Sequence, residues 1–189
     1  MIHANFTAEL HCRHGQVVIA DTSFSTHPFT SADEDGWLST EAARTRDGRN
    51  EFKPVRFHFA FIKHDANRTL YYINSAEHWD YTGARLERNS DGWLGLYGTH
   101  VLGRVIDSVN PVNLFSATQY WKIETLSPWD GELQSAESTA FYLRDQYGHR
   151  VAHTRPPADN VALNRGHFLN ASELPGEVLE FRLRNIQLG

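Results

Sequence analysis

Eleven histidines and one cysteine are the residues of this chain with the widest range of chemistry, because imidazole and thiolate serve as metal ligands and as catalytic groups. Their spacing assembles no site. His11 and His14 flank Cys12, but strand residues three apart face opposite sides, and His14 falls in a turn. His149 and His153 share a strand face, yet four strand residues separate them by roughly 13 Å. One zinc ion takes its ligands at about 2 Å, so that pair does not chelate by itself. Local spacing thus predicts no metal and no cofactor; ligands gathered from distant loops are the arrangement it cannot reveal. There is no Gly-x-Ser-x-Gly, no cysteine flanked as in the cysteine proteases and no phosphate-binding loop. Cys12, inside a predicted strand, reads as a small core residue. The expectation is a chain that is not an enzyme.

Large aromatics are the other candidates. Asp91-Gly92-Trp93-Leu94-Gly95-Leu96-Tyr97 has a partner at Asp35-Gly36-Trp37-Leu38-Ser39-Thr40 and a looser copy at Gly166-His167-Phe168-Leu169-Asn170. Each copy reads as a short strand leaving a glycine turn. If Leu38, Leu94 and Leu169 point into a core, alternation sends Trp37, Trp93 and Phe168 the other way. Outward aromatics offer platforms for sugar rings or for a partner protein. Covered by neighbouring loops, they would instead extend the core.

Composition narrows the classes. The 189 residues suffice for a single domain, 1–189, with a real core. Hydrophobic residues make up 40% and charged residues 22%, and 5 Trp, 7 Tyr and 11 Phe favour strands over helices. A net charge of −5 without a basic cluster argues against nucleic acid. One cysteine allows no internal disulfide. No secretory signal is legible at the N-terminus, and no apolar run approaches the ~18 residues of a membrane helix. A cytoplasmic protein, or one released without a recognisable signal peptide, is the resulting expectation.

The elements that must carry these residues are short strands. Ala8–Arg13 and Gln16–Asp21 read as a hairpin, and Val55–Ile62, apolar at every odd position, is the clearest period-two strand. The pattern restarts at Thr69 and again at Thr139, giving three units, about 5–66, 67–132 and 133–189, with twelve strands and no helix. Predicted core residues include Phe57, Phe59, Phe61, Trp121, Ile123, Phe181 and Leu183.

Three units, each with a hairpin, a Gly-aromatic-Leu strand and a closing strand, resemble the β-trefoil superfamily. That resemblance implies a six-stranded barrel capped by a hairpin triplet. Gln119-Tyr120-Trp121 is similar to the Gln-x-Trp signature of ricin-B-type trefoil lectins, and Gly166-His167-Phe168-Leu169 is similar to the fascin-like branch. The lectin resemblance implies a carbohydrate-binding module whose sugar is held by Asp80, Tyr81, Trp93, Asn113 and Gln119. Sequence departs from it where units one and three carry Arg56-Phe57-His58 and Glu180-Phe181-Arg182 in place of Gln-x-Trp. A protein-binding trefoil, a protease inhibitor or toxin component presenting the Thr99–Ser116 insertion, is the alternative. The expected partners are a glycan or a protein.

Overall fold

A computed structural model of the chain describes residues 1–21, 36–43, 51–76, 81–97, 119–155 and 167–189, without the side chains of Asp21, Ala43 and Glu51. The first half supplies β1 (Phe6–Cys12), β2 (Gly15–Asp21), β3 (Trp37–Thr40), β4 (Glu51–Pro54), β5 (Phe57–Asp65), β6 (Arg68–Ser75), β7 (Arg85–Arg88) and β8 (Leu94–Tyr97). The second half supplies β9 (Trp121–Thr125), β10 (Phe141–Arg144), β11 (Ala152–Thr154), β12 (Phe168–Asn170), β13 (Glu177–Val178) and β14 (Arg182–Leu188). A 3₁₀ turn at Glu41–Ala43 and the single-turn helix α1 (Leu133–Ala136) complete the described elements.

The expected β-trefoil is not what forms. Pairings run β6-β5-β1-β2-β3-β8-β7 and return from β7 to β6, closing a seven-stranded antiparallel barrel. All seven strands come from the first two sequence units. The third unit does not repeat them: β10 extends the sheet through β9, β14 pairs with β1, and β11 is the centre of a separate three-stranded sheet, β12-β11-β13. A trefoil needs three equivalent contributions to its barrel. Here Trp37↔Gly95 and Asn74↔Arg85 join strands of the first two units and leave the ring no open edge for a third.

Period-two alternation nevertheless chose the core correctly. Phe57 and Phe59 of β5 are fully buried, as are Trp121, Ile123, Phe181 and Leu183, and Leu38, Leu94 and Leu169 join the same cluster. Phe6 stacks on Phe59 with ring centres 4.6 Å apart. The exception is Phe61, which is only partly buried because the β5–β6 register slips between Phe61 and Lys63. Trp121 also fixes the second-half extension to the barrel by donating from Nε1 to the Leu86 carbonyl at 2.7 Å.

Candidate ligand-binding groove

Of the residues expected from sequence to hold a sugar, the three that are described, Tyr81, Trp93 and Gln119, are buried or bonded to backbone. Asp80 and Asn113 lie outside the described residues, as does the Thr99–Ser116 insertion. Tyr81 is 1% exposed and belongs to the main core. Gln119 is spent on backbone: its Oε1 accepts from the Arg88 N–H and its Nε2 donates to the Arg88 carbonyl, both at 3.0 Å. It behaves as one extra rung beyond β9, tying down the end of β7.

Trp93 is enclosed by a chain of local causes. Asn89 Oδ1 accepts from the N–H groups of Asp91 and Trp93, forming an Asx-type turn. Gly92 then takes φ +88°, where an added Cβ would stand 2.7 Å from Ser172 Cβ. The turn docks on the segment after β12 through a Trp93↔Asn170 bridge and an Ala171 N–H to Gly92 carbonyl bond of 2.8 Å. Trp93 stacks on Trp37 at 5.5 Å and 14°, while Phe168 meets Trp37 edge-on at 5.6 Å. The three aromatics that alternation turns away from the barrel thus pack on one another, with Ala20 and Phe52, as a second small core.

An open aromatic site exists elsewhere, on residues that carried no sequence signal beyond a tryptophan in a polar linker. Thr125 at the end of β9 and Trp129 and Asp130 from the β9–β10 connection line a cavity of about 680 Å³ together with His3 and with His64 and Asn67 of the β5–β6 hairpin. The connection is braced. Trp129 Nε1 donates to Ser135 Oγ at 2.9 Å and to the Glu132 carbonyl at 3.1 Å, which ties its indole to α1. Asp130 Oδ1 accepts from the Glu132 N–H at 2.9 Å and from the Ser135 hydroxyl, and those bonds hold its carboxyl below the usual range. Asp130 is therefore an ionised acceptor at neutral pH.

The opposite wall is aromatic too. His3 lies 4.5 Å from His64, 5.8 Å from Phe61 and 6.5 Å from Trp129, edge-on to the last. Desolvation and then the neighbouring His64 lower the pKa of His3, so its ring is neutral near pH 7. His64 Nδ1 is 3.0 Å from Thr69 Oγ1. The groove thus combines flat rings, a carboxylate and an amide in a volume suited to a small ligand.

Cys12 is not poised as a nucleophile. Its Sγ accepts from the His14 N–H at 3.4 Å and contacts the Gly15 carbonyl at 3.6 Å, and desolvation pushes the thiol pKa up. Among the described residues one set of metal-type donors converges, His14, His153 and Glu177, and none of them lines the groove. No helix among the described residues is long and apolar enough to cross a membrane.

Comparison of the chain with protein-family models, with curated proteins and with solved structures finds no match.

Proposed function

We propose that the chain is a non-enzymatic binding module that takes carbohydrate in the Trp129 groove. The observation carrying this reading is the braced Trp129 indole beside an ionised Asp130 and the amide of Asn67 in one open cavity. A pyranose presents an apolar face and a rim of hydroxyls. A fixed ring supplies contact area at little entropic cost, and a carboxylate and an amide select which hydroxyls fit. The function expected from sequence is kept, and its site moves from Trp93 to Trp129.

The test is a glycan array on the purified chain, followed by titration calorimetry with the glycan it selects. Trp129→Ala should weaken that glycan by at least tenfold with the melting temperature nearly unchanged. Binding that survives Trp129→Ala, or an array with no selected glycan, overturns the reading.

A further inference from the structure

Three strands of the small sheet and the first barrel hairpin bring imidazoles and a carboxylate together. His14 sits in the β1–β2 turn, which is pinned from two sides: the Ala42 N–H donates to the His14 carbonyl at 3.0 Å, and the Gln16 N–H donates to Glu41 Oε2 at 3.1 Å. His153 is on the central strand β11, directly opposite Glu177 of β13 in the antiparallel register. His167 immediately precedes β12, and its carbonyl accepts from Ser39 Oγ at 2.5 Å. The rings of His14 and His153 are 4.7 Å apart, and those of His153 and His167 are 4.8 Å apart.

We propose that His14, His153 and Glu177 bind a divalent transition-metal ion of the zinc class, with His167 as the fourth donor. One donor atom from each of the first three residues lies within 4.8 Å of the others, and His14 Nε2 is already 3.0 Å from Glu177 Oε2. Donors held at about 2.0–2.2 Å from one ion stand closer together than 4.8 Å, so small side-chain rotations complete the site. Glu177 is oriented for it: Arg13 Nε takes Oε1, which leaves Oε2 facing the histidines. His167 Nε2 accepts from Arg155 Nε at 3.3 Å, so that nitrogen already presents a lone pair, and Arg155 is exposed enough to move aside. Entry of the ion displaces the bond that His14 Nε2 accepts from Arg13 Nε at 3.2 Å, and the exposed Arg13 side chain keeps its contact with Glu177 Oε1.

The protonation states favour a cation. Desolvation, then the facing His167 and His14, bring the pKa of His153 down to about 4. Desolvation, Arg155 and His14 lower that of His167 as well. Burial alone would raise Glu177, but the bonds from His14 and Arg13 outweigh it and hold the carboxyl down. At neutral pH the cluster therefore offers neutral imidazole at His153 and His167 beside a carboxylate. Mixed imidazole and carboxylate donors select zinc, cobalt or nickel over calcium or magnesium, which take oxygen ligands.

Zinc titrated into the full chain, followed by calorimetry, should bind one ion per chain, with magnesium and calcium giving no such binding. His153→Gln and Glu177→Gln should each weaken zinc by at least about tenfold, while His58→Gln, on β5, should bind as the unaltered chain does. Absence of stoichiometric zinc uptake, or uptake that persists in both site variants, overturns the proposal. Should His153→Gln not fold, paramagnetic cobalt on the unaltered chain decides the matter. Broadening of the His14, His153 and His167 ring signals supports the site, and broadening confined to other histidines overturns it.

Discussion

Trp93 and Trp129 hold the same side chain in two settings, one buried in the second core and one lining an open cavity. Trp93 has a turn glycine, a leucine partner and an internal copy at Trp37, all of which point to a strand with an outward aromatic. It does point away from the barrel core, and it is buried there all the same, because Trp37 and Phe168 arrive from β3 and β12 to cover it. Trp129 has no such context. It sits between Pro128 and Asp130 in a connection, where its nitrogen is tethered to Ser135 and Glu132 and its ring meets His3 edge-on and packs in part on the core. Alternation tells which side of a strand a residue takes; whether another element closes over that side depends on contacts between residues far apart in the chain.

The largest effect expected is at neither of these two tryptophans but at a third that bounds them. Trp121→Ala should cost about 3–5 kcal/mol on denaturant unfolding, since it empties a fully buried site and strands the Leu86 carbonyl. Trp93→Ala should cost about 3 kcal/mol, at the low end of that range, because the second core is small and includes the half-buried Trp37. A loss below about 1 kcal/mol at Trp93 would erase the distinction from Trp129.

Enclosure by distant elements acts on a histidine in the same way, which gives a pH-dependent check. His153 titrates near 6.5 when unfolded and at about 4 in the fold, where desolvation acts first and the facing histidines add to it. Its folded pKa is depressed, so the unfolded chain binds the proton more tightly between those values. The stability it allows is complete above about pH 6.5 and is lost as pH falls towards 4, by at most about 2–3 kcal/mol for a half-buried group. Denaturant midpoints measured from pH 7 to 4.5 should fall, and His153→Gln should flatten that fall. An equal slope in the variant would mean that the ring is solvated. The smallest effect belongs to Trp129→Ala, which should change stability by under about 1 kcal/mol, since only part of the ring packs on the core.

Much of the secondary structure was legible in the residues themselves. The buried Phe57 and Phe59 of β5, the Gly15 and Gly92 turns and the hairpin of β1 and β2 follow from period-two patterning and turn chemistry, and they form as expected. Closure of the barrel did not follow. The Gly-aromatic-Leu copies describe local strands, whereas ring closure rests on sparse pairings such as Trp37↔Gly95 that no repeat encodes. The histidine cluster was illegible for a related reason. His14, His153 and Glu177 are far apart in sequence, and only the register of β11 against β13, with the docked β1–β2 turn, makes them neighbours. Nothing near Trp129 in sequence announces the His3–His64 wall across from it.

The most direct measurement of the central claim follows the indole Nε1–H signals in a ¹H–¹⁵N spectrum while the glycan selected by the array is added. The Trp129 signal should shift progressively with occupancy, and those of Trp93 and Trp121 should stay in place. Shifts at Trp93 with Trp129 unmoved would contradict the account and return the site to the second core.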